Sequence, residues 1–104
     1  MSILDKMVHF DNLLATAIVA GKIKVVDDIM YDSEDNELAW EDMEYIELEN
    51  TIPYNNNHID GVLIFGDGTI EFHEKESEEA FNWADYPIDI IVGVIDRLKE
   101  KIGV

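Results

Sequence analysis

Residues 61–73 read Gly61-Val62-Leu63-Ile64-Phe65-Gly66-Asp67-Gly68-Thr69-Ile70-Glu71-Phe72-His73. Two apolar runs, 61–65 and 69–73, flank the Gly66-Asp67-Gly68 segment. Asp-Gly between such runs predicts a β-hairpin, because both residues tolerate positive φ. In the second run Ile70 and Phe72 point to one face, and Thr69, Glu71 and His73 to the other. A hairpin here commits the middle of the chain to an antiparallel sheet with one face to cover.

Upstream, Ile46, Leu48 and Ile52 alternate with Glu47, Glu49 and Thr51. That alternation predicts a half-buried strand over 44–52 that ends at Pro53, followed by a loop at 54–58 with three consecutive Asn. Residues 22–31 are β-branched and aromatic and predict one further strand. The polar run 32–36 is a turn by composition. Residues 38–40 fit a returning hairpin strand or a short helix equally well.

Helical spacing marks both ends of the chain. Ile3, Met7, Phe10, Leu14 and Ala17 recur at 3–4 residue intervals, with Ser2 and Asp5 as an N-cap pair and Gly21 as the stop. The polar residues Asp5, His9, Asn12 and Thr16 occupy one narrow strip, with His9 in reach of Asp5 as a surface pair. Residues 75–85 are polar around two apolar anchors, Phe81 and Trp83. Tyr86 then caps a second helix with Pro87 at its first position, and its stripe is Ile88, Ile91, Val92, Ile95, Leu98 and Ile102, up to Gly103. Ile90 and Val94 leave that stripe. Gly93 interrupts the helix at a cost of about 1 kcal/mol relative to Ala, so either another backbone packs closely there or the helix simply tolerates it. The apolar surplus on both terminal helices raises a homodimer formed through them. The expected fold is a single acidic α+β domain over 1–104: an antiparallel sheet of about four strands with the N- and C-terminal helices packed on one face.

The 104 residues include 24 acids against 7 Lys plus Arg, a formal charge of −17. At 47% hydrophobic the chain can still bury a core, so it is not composed like a disordered acidic tail. The charge is concentrated: residues 32–49 hold nine acids and no base, and residues 71–89 hold seven acids against Lys75. Such a surface repels phosphate backbones and anionic bilayers, which argues against direct binding of nucleic acid or membrane. The expected partner is a basic protein surface. The absence of cysteine excludes disulfides and thiolate chemistry. The opening residues do not resemble a basic, then apolar leader, and the uncharged run 12–21 is too short to cross a bilayer, so a cytoplasmic protein is expected.

The chemistry-bearing patterns are weak. A calcium loop that starts at Asp32 would need Gly at its sixth position and Glu at its twelfth, where Glu37 and Met43 stand. His9, His58 and His73 lack ligand spacing, so no metal or cofactor is expected. Ser2, Ser33 and Ser77 lie outside any nucleophile motif, and Gly66-Asp67-Gly68 lacks the Lys and helix of a phosphate loop. No catalytic residue is assigned. The chain is therefore expected to be a non-enzymatic binding or regulatory protein. Its expected contacts are Glu41, Glu44, Glu47, Glu49, Glu71, Glu74 and Glu78, with Trp40, Trp83 or Tyr54 as aromatic anchors. Glu47 and Glu49, about 7 Å apart on an extended strand, approach the phosphate repeat of nucleic acid. A nucleic-acid-mimicking inhibitor of the phage anti-restriction or anti-CRISPR class is thus one alternative, and a carboxylate-based small enzyme or metal-dependent module is the other.

Overall fold

In the computed structural model, which describes residues 3–103, the hairpin at Gly66-Asp67-Gly68 lies within a four-stranded antiparallel sheet. Helix α1 (Ile3–Ala20) leads into a short ribbon, β1 (Lys24–Val26) and β2 (Ile29–Tyr31). The main sheet follows as β3 (Met43–Tyr54), β4 (Asn57–Phe65), β5 (Ile70–Glu74) and β6 (Glu79–Asn82), with neighbours in chain order. A 3-10 turn (Trp83–Asp85) then feeds helix α2 (Ile88–Ile102). The α+β architecture with helices at both ends is the one that the periodicities predict. The expected cap at Ser2 lies outside the described residues, as does the Asp5 side chain expected to pair with His9.

The membership of the sheet differs from the expectation. Residues 22–31 are not one strand: Asp27 and Asp28 both take positive φ (51° and 64°), and the chain folds back on itself as β1–β2. Two residues with positive φ give a hairpin turn the same twist as its strands, and Asp tolerates this better than most residues. Neither a strand nor a helix forms at 38–40. Glu37 makes a single bridge to Tyr31, and the Leu38 N–H donates to the Met30 carbonyl (2.8 Å). Residues 54–58 are not a loop either, because Asn55 and Asn56, at φ 54° and 61°, make a two-residue turn and β4 starts at Asn57. Strand β3 runs through Pro53 to Tyr54. It is an edge strand, where the missing proline N–H deprives no neighbour of a bond. At the central hairpin only Gly68 takes positive φ (88°), so the loop is one residue longer than an Asp-Gly turn. Asp67 fixes it by accepting the Thr69 N–H at 2.8 Å, which holds the Asp67 carboxyl below its usual range.

The core lies between the helices and the inner face of the sheet. Ile46, Ile52, Ile59, Val62, Ile64, Ile70 and Phe72 pack with Leu13 and Ala17 of α1 and Ile91, Val94, Ile95 and Leu98 of α2. Ile90 and Val94 are buried within the chain and do not leave the stripe. The helix therefore turns a wider apolar arc to the core than the predicted one. Gly93 admits a side chain, not a backbone: a Cβ there would stand 3.3 Å from Ile52 Cδ1. Pro87 is itself the N-cap, one residue later than expected, while Tyr86 closes the 3-10 turn through its N–H to the Trp83 carbonyl. On α1, Thr16 is buried and donates to the Asn12 carbonyl (2.6 Å), so the strip through Asp5, His9, Asn12 and Thr16 is not the solvent face. Val8, Asp11, Asn12, Ala15 and Val19 form that face.

A candidate protein-binding face

The two helices cover one face of the sheet. Alternation along β3 sends Ile46 and Leu48 inward, and Met43, Tyr45 and Glu47 outward. Along β5, Glu71 and His73 point outward with them. Two irregularities shape this outer face. The β3–β4 register jumps from Glu47↔Gly61 to Ile52↔Ile59, so residues 48–51 loop out against a single residue of β4. That residue is Asp60, itself unpaired in the ladder between Ile59↔Glu74 and Gly61↔His73. A bulge places two successive residues on one side of a sheet. Ile59 and Val62 can therefore both point inward, while Asp60 and Gly61 share the outer face.

Around the bulge the side chains interlock. Asp60 Oδ1 and His73 Nδ1 are 2.6 Å apart, and both side chains are about three-quarters shielded from solvent. The Tyr45 ring meets the His73 ring edge-on at 5.8 Å and lies directly over Gly61, where a Cβ would fall within 2.5 Å of the ring. Burial raises the Tyr45 hydroxyl pKa, with the Asp60 and Glu47 charges adding to it, so the phenol stays a neutral donor. Leu63 is buried on this outer face, between Tyr45 and Glu71 in the cross-strand register. Beside the bulge opens a cleft of about 240 Å³ lined by Glu47, Leu48, Thr51, Asp60 and Lys75. Among the described residues no three His, Asp or Glu gather in a way that would hold a metal ion.

The predicted contact residues divide into four groups. Glu47 and Glu71 stand on the outer face, and Glu49 is exposed where β3 loops out. Glu41 and Trp40 lie in the turn before β3, at the end of the sheet where Met43 pairs with Phe65. Trp40 is 81% exposed, with Met43 and Tyr45 also open to solvent. Glu78, at φ 56°, projects from the β5–β6 turn. The remaining residues are not brought to this face. Glu44 shares the inward side of β3 with Ile46. Glu74 accepts hydrogen bonds from the Tyr86 hydroxyl (2.7 Å) and the Asn57 amide (3.2 Å), which tie it to the core side of the sheet. Tyr54 packs on Tyr86, with ring centroids 5.2 Å apart. Trp83 is a correction to the sequence reading: it is buried against Phe10, ring centroids 4.8 Å apart, and cannot anchor a partner. An aromatic two residues after an exposed Phe81 carries no mark of which one turns inward. Tyr45, Asp60 and His73 escaped the sequence reading. The outward parity of 43, 45 and 47 could have found Tyr45, but the Asp60–His73 pair depends on a bulge that leaves no pattern in the sequence.

The net charge lies outside both helical segments. Residues 1–22, which contain α1, hold two acids and two lysines, and residues 88–104, which contain α2, hold three acids and three bases. Both sum to zero. Residues 23–87 hold nineteen acids against Lys24 and Lys75, and so carry the entire −17. Among the described residues the only lysine–carboxylate ion pair is Lys24–Asp35, at 2.6 Å and well exposed. No known protein family, curated protein or solved structure matches this chain. No helix among the described residues is long and apolar enough to cross a membrane.

Proposed function

We propose that this chain is a non-enzymatic binding protein whose sheet layer contacts a basic surface on another protein. The observation that carries the reading is the segregation of charge along the chain: both helical segments sum to zero, and residues 23–87, which hold the sheet, the β1–β2 ribbon and their connecting turns, carry all seventeen net negative charges. Glu41, Glu47, Glu49 and Glu71 provide long-range attraction and selectivity. Trp40, Met43 and Tyr45 supply the apolar contact area from which most of the affinity would come. The Asp60–His73 pair holds the platform on which Tyr45 rests.

The test compares pull-downs at about 50 mM and about 500 mM salt. The baits are the wild type, the double variant Glu47→Lys/Glu71→Lys and the helix-face control Asp96→Lys. Support is a basic protein retained at low salt, lost at high salt, lost with the double variant and kept by the control. Retention that ignores both salt and the sheet-face charges would refute the reading. In its narrower form, where the basic surface is a nucleic-acid-binding groove, duplex DNA displaces the captured partner.

A further inference from the structure

Strand β3 forms one border of the sheet, and its outer edge is open along residues 43–47. Hydrogen bonds at the end of the central hairpin fix which backbone groups face that edge. The Phe65 N–H donates to the Thr69 carbonyl and the Phe65 carbonyl accepts from the Gly68 N–H, both at 2.9 Å, so Phe65 turns its backbone toward β5. Gly66 turns the other way and donates its N–H to the Asp42 carbonyl at 3.1 Å. Successive residues of an antiparallel strand turn alternately to one neighbour and the other. Met43, opposite Phe65, therefore turns away from β4, and so do Tyr45 and Glu47, opposite Leu63 and Gly61. Among the described residues no hydrogen bond reaches the backbone N–H or C=O of these three. They make a row of alternating donors and acceptors about 14 Å long. The Met43 and Tyr45 side chains stand beside it, 47% and 40% exposed.

An open edge invites pairing with another chain, and proteins guard such edges with bulges, prolines or charge. The second half of β3 has the first two guards, in the outward loop at 48–51 and in Pro53. Residues 43–47 have neither. Their guard is negative charge alone: Glu44 and Glu47 within the stretch, and Glu41, Asp42 and Glu49 beside its ends, with no Lys or Arg among them. Like charges across a strand pair destabilise it, and opposite charges favour it. A second copy would bring the same carboxylates to the same seam and is repelled. An extended segment with Lys or Arg at alternate positions meets the reverse. We infer that the 43–47 edge takes an extended basic segment of the partner as a fifth strand outside β3. This rests on the basic-partner reading and specifies how that partner docks: main-chain hydrogen bonds supply affinity, and the carboxylates select the sequence.

The probe is a blocked peptide of about seven residues alternating Lys and Val, titrated into the full chain at low salt. Amide hydrogen exchange, followed by NMR, reads each position. In the free protein the amides of Met43, Tyr45 and Glu47 should exchange at least tenfold faster than those of Glu44 and Ile46, which turn to β4. At saturation with the peptide the first three should slow at least tenfold. Two further peptides carry N-methyl groups, one on every Lys and the other on every Val. An added strand turns only alternate amides to its neighbour, so one of the two should lose at least tenfold in affinity while the other binds as before. Binding that leaves the three amides unprotected overturns the strand addition, and so does binding that both methylated peptides keep or both lose. So does an absence of binding at about 1 mM. In each of these cases the basic-partner reading is judged separately, by the salt- and charge-dependent pull-down. Protection of the three amides in the protein alone, growing with its concentration, overturns the choice of a basic occupant in favour of a second copy.

Discussion

Tyr45 packs directly over Gly61 on the outer face, and a double-mutant cycle measures the contact. An alanine Cβ at position 61 would fall 2.4 Å from the Tyr45 hydroxyl oxygen and 2.5 Å from two ring carbons, so the ring must move. Tyr45 is 40% exposed, which leaves about 120 Å² shielded for a side chain of its size, or about 3 kcal/mol as an upper value. A ring displaced from Gly61 gives up about half of that. It also loses the edge contact with His73, a further ~0.5–1 kcal/mol. Against this, replacing Gly by Ala within a strand returns about 0.5–1 kcal/mol of backbone entropy. Gly61→Ala should therefore destabilise by about 1–2 kcal/mol in the wild type, and should stabilise by about 0.5 kcal/mol when Tyr45→Ala has removed the obstacle. Urea unfolding of the four proteins, followed by circular dichroism, gives the coupling, expected near 2 kcal/mol. An equal effect of Gly61→Ala in both backgrounds would refute the packing argument. It would also remove the reason for holding Tyr45 fixed above the bulge.

The two tryptophans should behave oppositely. Trp40→Ala should change stability by less than about 0.5 kcal/mol while weakening partner binding at least tenfold, whereas Trp83→Ala should cost about 3–5 kcal/mol of stability in chemical denaturation. Gly66→Ala should cost about 1–3 kcal/mol, because its Cβ would meet the Ala39 and Leu38 carbonyl oxygens at 2.2 and 2.3 Å, and these are backbone atoms that cannot swing aside. Tyr86→Phe removes the bond to Glu74 and should cost about 1–2 kcal/mol at neutral pH. Burial, together with the Glu74 hydrogen bond and charge, raises the Tyr86 pKa well above its ordinary value of 10.0. The native state thus keeps a proton that the unfolded chain releases. Its contribution is complete below pH 10.0 and declines as the pH rises further, so the wild type should lose stability above pH 10.0 more steeply than Tyr86→Phe in pH-dependent unfolding.

Short-range pattern and charge arithmetic were enough to identify the helices, the central hairpin and the acidic middle of the chain. Ile70 and Phe72 against Glu71 and His73, or Ile91, Ile95 and Leu98 against Asp89 and Asp96, report burial directly, because backbone geometry alone sets their period. The turns were harder. Asp27-Asp28 and Asn55-Asn56 needed two successive residues with positive φ, which Asp and Asn permit but do not announce as Gly does. Short-range reading merged β1 with β2 for that reason, and took the start of β4 for a loop.

The identity of the exposed residues was a tertiary matter. Trp40 and Trp83 are the same residue type in equally polar surroundings, yet one stands in solvent and the other packs on Phe10 of a distant helix. Only a contact across the whole length of the chain separates them. The Asp60–His73 pair likewise exists because a bulge adds one residue to β4, turning Asp60 and Gly61 to the same side. Sequence period states which side a residue takes while the ladder is regular, and the assembled sheet alone decides where the ladder breaks. Net charge was fixed by composition. Its concentration outside the helical layer followed from which segments became helices.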